Sequence, residues 1–136
     1  MAEPVPQEEL GQMVALMPFA EKLGIELDSA SADEVVGRLR WAEELCTAGG
    51  ILHGGVLMGL ADSIGAFCAY LNLPDGSSAT ATIESKTNFF SAIRSGTVEA
   101  RARPLHRGSR TIVVETDVFD EAGKHVARVT QTQAVL

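Results

Sequence analysis

The stretch Val56-Leu57-Met58-Gly59-Leu60-Ala61-Asp62-Ser63-Ile64-Gly65-Ala66-Phe67-Cys68-Ala69-Tyr70-Leu71 decides the architecture of this 136-residue chain. Leu57, Leu60, Ala61, Ile64, Phe67, Cys68 and Leu71 recur at helical spacing and make a wide apolar stripe. Val56, Ala66 and Ala69 leave the other side weakly apolar too. A helix that is apolar nearly all round is buried on most sides, so the rest of the chain must supply its walls. The run is shorter than the roughly 20 residues a bilayer requires, and Gly59, Asp62, Ser63 and Gly65 interrupt it. Pro74-Asp75-Gly76 closes the helix.

Downstream of that helix, alternating apolar and polar residues predict strands over 79–90, 97–106, 111–119 and 126–135. Ser95-Gly96, Arg107-Gly108-Ser109 and Asp120-Glu121-Ala122-Gly123-Lys124 join them as short connections. Upstream, Gly24-Ile25-Glu26-Leu27 reads as one short strand and Ser29-Ala30-Ser31-Ala32-Asp33 as turn chemistry. Val35, Gly37, Leu39 and Trp41 then alternate with Val36, Arg38 and Arg40 in a second strand. Glu43 to Leu52 reads as a loop hinged at Gly49-Gly50. Leu10, Met13, Val14 and Met17 predict a helix over 7–22 that Pro18 ends or kinks. The expected organisation is an N-terminal helical segment, 1–22, followed by one α+β domain, 23–136. Hairpin-length connections imply an antiparallel sheet, and the single long apolar helix implies that the sheet wraps around it.

Composition narrows the function classes. A length of 136 residues allows one core and is too short for two. The net charge of −7 and pI near 4.9 argue against a nucleic-acid partner, which is held by a basic surface. Cys46 and Cys68 fall in different elements, without the spacing of a zinc site or a disulfide framework, so no metal is expected. The start Met1-Ala2-Glu3-Pro4 lacks the basic and apolar regions of a signal peptide. A cytoplasmic chain with no membrane association is the expectation.

The chemistry concentrates at both ends of one short segment. Leu52-His53-Gly54-Gly55 opens the central helix, where uncovered backbone N–H groups point out of the positive end of the helix dipole. That arrangement suits a carbonyl oxygen becoming an oxyanion during acyl transfer, and it equally suits a plain tight turn into a helix. Asp62 lies nine residues after His53, amid Leu60, Ala61 and Ile64. It is either a partly desolvated carboxylate suited to base or nucleophile chemistry, or part of an exposed strip with Ser63. Nine residues at about 1.5 Å and about 100° each put Asp62 about 13 Å beyond His53 and on nearly the opposite side of the helix. If both are catalytic, one subunit's helix start must meet another's Asp62, giving two equivalent sites in a symmetric dimer.

Residues Gly50 to Asp62, Gly50-Ile51-Leu52-His53-Gly54-Gly55-Val56-Leu57-Met58-Gly59-Leu60-Ala61-Asp62, resemble the signature of hot-dog-fold acyl-CoA thioesterases. The resemblance is strongest to the phenylacetate-pathway and 4-hydroxybenzoyl-CoA branch. It extends over roughly residues 20–136, including Asn88-Phe89-Phe90 and Arg107-Gly108-Ser109-Arg110. It implies a five- or six-stranded antiparallel sheet around the helix and a homodimer, often paired again into a homotetramer. It implies hydrolysis of an acyl-CoA, with Asp62 as nucleophile or general base and the Gly55 N–H polarising the thioester carbonyl. His53 would order the loop and contact the thioester, and Thr82 or Thr80 would help hold the water. Six residues before the histidine, relatives carry Asn or Gln to position the carbonyl; Thr47 stands there instead and is shorter. Arg107, Gly108, Ser109 and Arg110, with Arg94, are the candidates for the coenzyme A phosphates. Coenzyme A is part of the substrate, so no separate cofactor is expected. An enoyl-CoA hydratase on this fold would need a histidine soon after the acid, where Ser63-Ile64-Gly65-Ala66-Phe67 stands. A non-catalytic acyl-CoA binding or sensing module is the alternative, and the presence of Asp62 argues against it.

Overall fold

The computed structural model describes residues 2–136. The elements are α1 (Gln7–Ala15), α2 (Pro18–Leu23), β1 (Glu26–Ala30), β2 (Val35–Arg40), α3 (Gly54–Tyr70), β3 (Thr80–Phe89), β4 (Thr97–Arg107), β5 (Thr111–Phe119) and β6 (His125–Val135). Six strands pair antiparallel in the order β1-β2-β4-β5-β6-β3, and the sheet curls around α3. This is the hot-dog arrangement, with six strands. Among the described residues, no helix is long and apolar enough to cross a membrane.

The sheet wraps α3 because its inner face is made of small and branched apolar residues. Val98, Ala100 and Ala102 of β4, Ile112, Val114 and Val118 of β5 and Val129 of β6 are fully buried there. They meet Leu60, Ile64 and Cys68 of α3, which are equally sealed. Gly37 of β2 sets how closely helix and sheet approach. A Cβ at that position would stand 2.3 Å from Ile64 Cδ1 and 3.1 Å from the Glu26 carbonyl, so a larger residue there would displace the tip of the isoleucine. Leu10, Val14, Ala20 and Leu23 of the N-terminal helices join the same core.

Three details depart from the sequence reading. The helix expected over 7–22 is two helices, because Pro18 occupies the first position of α2, where its missing N–H costs nothing, and the chain turns at Leu16–Met17. Ser29 and Ala30, expected in a turn, belong to β1. A bulge between Leu27 and Ser29 aims Ala30 into the core, and its carbonyl accepts the Val5 N–H at 2.7 Å. The segment 43–52 is not a bare loop: it holds two short 3-10 turns and a bridge between Cys46 and Leu52.

The outer face of the sheet carries a charged cluster around Asp117. Its side chain is 7% accessible and accepts from Arg103 at 3.0 Å and from Arg128 Nε at 2.8 Å, with His125 Nε2 also at 2.8 Å. Burial alone pushes this carboxyl up. The hydrogen bonds and charges of Arg128, His125 and Arg103 outweigh it and hold the group below the usual carboxylate range. A carboxyl depressed in the folded state stabilises the fold above its unfolded pKa, and that contribution is lost as pH falls through the folded value. Asp117→Asn is therefore expected to be less stable than the parent at neutral pH. The gap between the two urea midpoints should close as the pH drops below about 4, the ordinary aspartate value being 3.8.

Candidate active site

Asp62 is the central residue of α3, half-buried, with its carboxylate turned toward β3 and β6. Thr82 Oγ1 donates to Asp62 Oδ1 at 2.9 Å, and Gln131 Nε2 donates to the same oxygen at 3.3 Å. Gln133 Nε2 donates to Thr82 Oγ1 at 2.7 Å. Of the two readings of Asp62, the structure shows the networked, partly desolvated carboxylate. Ser63 is not its neighbour on an exposed strip, because Ser63 is buried and its hydroxyl donates back to the Gly59 carbonyl at 2.8 Å.

At the other end of the site, His53 caps α3. Its Nδ1 accepts the Gly55 N–H at 2.8 Å, so the ring carries its proton on Nε2 in this geometry. The amide singled out for carbonyl polarisation is thus held by the residue two positions before it. The two glycines differ in what they accommodate. A Cβ on Gly54 would lie 3.2 Å from the Phe89 ring, whereas one on Gly55 would meet only the His53 imidazole. The Gly55 side of the helix start is otherwise open. The loop that delivers it is fixed by the Leu52 N–H to Ile93 carbonyl bond at 2.8 Å and by Gly49 and Gly50, both in the left-handed region at φ 82° and 75°. Trp41 Nε1 ties that turn down at the Gly50 carbonyl, 3.1 Å away. Thr47 is exposed on this turn, and its N–H closes it onto the Ile51 carbonyl at 2.8 Å.

Gly55 and Asp62 are seven residues apart on one straight helix, about 10 Å along its axis. One chain therefore holds two half-sites and brings neither to the other. The candidate phosphate ligands divide the same way. Arg94 lies at the helix-start end, its guanidinium 3.4 Å from the Gly49 carbonyl. Arg107, Gly108, Ser109 and Arg110 form the β4–β5 turn at the far end of the sheet, level with Val135 and Thr80. Arg107 is paired with Asp33 at 3.1 Å, and the Gly108 N–H is used within the turn, on the Thr111 carbonyl at 2.9 Å. Arg110 and Ser109 are exposed.

A profile of the thioesterase superfamily matches residues 49–127, more than half of the chain and all of the segment from the Gly49 turn through β3, β4 and β5. The chain belongs to the thioesterase superfamily. This thioester hydrolase is 37% identical over 87 residues to the 1,4-dihydroxy-2-naphthoyl-CoA hydrolase of Escherichia coli K12, covering 64% of this chain and 63% of that protein. Its fold superposes on the crystal structure of a mutant of thioesterase PA1618 from Pseudomonas aeruginosa with a TM-score of 0.88. The two are 26% identical, and 96% of each chain is covered. A mutant of the phenylacetic acid degradation protein PaaI from Thermus thermophilus superposes with a TM-score of 0.80 at 29% identity, covering 88% of this chain and 99% of that one.

Two residues of the Asp62 network escaped the sequence reading. Gln131 and Gln133 stand on the same side of β6 as Val129 and are 0% and 1% exposed, in a register where apolar residues are the rule. The signal was present as two amides in core positions of an alternating strand. The cap makes a separate prediction. His53→Ala in this thioesterase should lower folding stability by about 1 kcal/mol in chemical denaturation, and His53→Asn, which retains a capping acceptor, should recover most of that loss.

Proposed function

We propose that this protein hydrolyses an acyl-CoA at sites shared between two copies of the chain, with Asp62 of one copy acting across from Gly55 of the other. The observation that carries this reading is the placement of both half-sites along one open strand. β3 is a ten-residue edge of the sheet, hydrogen-bonded on one side only. Thr82 near its start touches Asp62, and Phe89 at its end lies against Gly54. Antiparallel pairing of β3 with a second β3 about its centre, near Ser85 and Lys86, sets the Thr82 end of each strand beside the Phe89 end of the other. Strands so paired are about 4.8 Å apart, which brings each Asp62 toward the opposite helix start twice over. Long edges bearing apolar residues are normally covered, and Ile83, Phe89 and Phe90 are 60%, 50% and 56% exposed on this one.

In such a dimer the same pairing gathers the scattered cations. The β4–β5 turn with Arg107 and Arg110 of one copy falls at the end where the other copy presents its Arg94, and all three serve the phosphates of coenzyme A. The thioester carbonyl takes over the Gly55 N–H from His53 Nδ1, and the freed imidazole stays beside the thioester. Asp62 acts as base toward water or as nucleophile; in both routes water supplies the new hydroxyl, and the coenzyme A thiolate leaves and is protonated. Thr47 occupies the position at which relatives carry an amide. The acyl group extends one helical turn from Asp62 toward an apolar cavity of about 330 Å³ between α3, the N-terminal helices and the start of β3. Met13, Met17, Ala66, Phe67, Tyr70 and Thr80 line it, a surface suited to a small aromatic or medium-chain acyl group.

Assay of a panel of acyl-CoAs tests the reading. Wild-type protein should turn over members with apolar acyl groups, and Asp62→Asn should lower kcat by about 100-fold or more while sedimenting as the same oligomer. A strictly monomeric wild type, or an unaffected Asp62→Asn, would overturn it. Tight binding of acyl-CoA without turnover would instead identify a binding module.

A further inference from the structure

The carboxylate of Asp62 is gripped on one oxygen only. Thr82 and Gln131 both donate to Oδ1, at 2.9 and 3.3 Å, and among the described residues Oδ2 has no hydrogen-bond partner. Thr82 has a single hydroxyl proton, and Asp62 takes it. The bond from Gln133 Nε2 to Thr82 Oγ1 at 2.7 Å therefore fills a lone pair of that oxygen and fixes the direction of its proton. Thr82 is thereby committed to the carboxylate.

The cost of this arrangement to the core shows that it is not incidental packing. Gln131 and Gln133 are sealed from solvent on the inner face of β6, where a buried amide is tolerated only when it is bonded. Even so, Gln131 Oε1 has no partner and lies against Gly65 in the middle of α3. A Cβ on Gly65 would stand 2.1 Å from that oxygen and 2.6 Å from Cδ. Glycine is the poorest helix former after proline, and Gly65 is the position that lets the amide pass beside the helix to reach Asp62. Two desolvated glutamines and one helix-weakening glycine thus converge on a single carboxylate oxygen. Gln131 and Gln133 also lie beyond residue 127, where the superfamily match ends.

We propose that Gln131, Gln133 and Gly65 form a positioning device that locks Oδ1 of Asp62, through Thr82 and directly, and presents Oδ2 as the reacting oxygen. The proposal rests on the reading of Asp62 as the catalytic acid–base or nucleophilic group. Gln133 is a positioning residue that acts through the Thr82 hydroxyl; Gln131 acts on the carboxylate itself; Gly65 keeps the space that Gln131 needs.

The test is a double-mutant cycle read in kcat and KM on the acyl-CoA that the wild type hydrolyses best. Gln133→Met and Thr82→Val should each lower kcat by about tenfold or more, with KM changed by less than about twofold. The double variant should be no slower than Thr82→Val alone, because Gln133 has no route to Asp62 once the hydroxyl is gone. Gly65→Ala should lower kcat, because its Cβ takes the space of the Gln131 amide, while KM stays within about twofold of the wild type. Methionine keeps the length of glutamine and removes its polar atoms, so these variants are expected to fold. Losses that multiply in the double variant would overturn the device, as would wild-type kcat in Gln133→Met and Gln131→Met alongside an inactive Asp62→Asn. That second pattern would leave the role of Asp62 standing. An Asp62→Asn variant with undiminished kcat would remove both the role and the device.

Discussion

Everything in this molecule answers to the burial of α3. Most of this seventeen-residue helix must be enclosed, and a six-stranded sheet packs around it. The enclosure is tight enough that a Cβ on Gly37 would displace the tip of Ile64, and Ala100 and Ala102 face the helix where longer side chains would push it out. It is also incomplete. The side of α3 that carries Asp62, Ala66 and Tyr70 looks toward β3, the last strand of the sheet among the described residues. Asp62 sits at that gap, half withdrawn from water and bonded to Thr82 and Gln131.

The polar network at Asp62 shows how such a group is stabilised there. A lone carboxylate at the wall of an apolar core is costly, and the sheet offers it donors from two strands that are neighbours in space and far apart in sequence. At the opposite end of the same helix the problem is inverted, since the first N–H groups have no intrahelical acceptor. His53 meets the need locally by folding its ring back over Gly55. One helix thus has an internally satisfied donor at its start and an internally satisfied acceptor two turns later. In the proposed reading, an acyl group between two copies takes up the donor of one and the carboxylate of the other.

Much of this was legible in the sequence. Periodicity placed α3 and the four following strands to within a residue or two, because each is long and bounded by clear turn residues, even though β3, β4 and β5 each carry a register shift. His53, Gly55 and Asp62 stood out as polar or glycine residues in an apolar helix, and the match to a thioesterase signature gave them roles. The N-terminal third was harder. The β1 bulge at Asp28 shifts the alternation by one residue, so Ser29 and Ala30 looked like turn chemistry, and Pro18 can start a helix as readily as end one. Gln131 and Gln133 were hidden for another reason. Between Thr130, Thr132 and the neighbouring arginine they merge into a polar tail of β6, and only the register of the folded sheet reveals that they share a side with Val129.

The sheet order has a consequence for how the chain comes together. β3 leaves the ribosome directly after α3, yet its only strand partner is β6, whose pairing residues follow it by some 40 to 55 positions. During that interval the helix has one wall missing and β3 has no hydrogen-bonded neighbour on either side. The β5–β6 hairpin must then slot between β4 and β3 to close the sheet. The donors of the Asp62 network on β6 thus become available only when the end of the chain is in place. A chain cut before Gln131 would retain the helix, the histidine cap and the aspartate, but would lose the pairing of the first half of β3 and both glutamine donors of the Asp62 network.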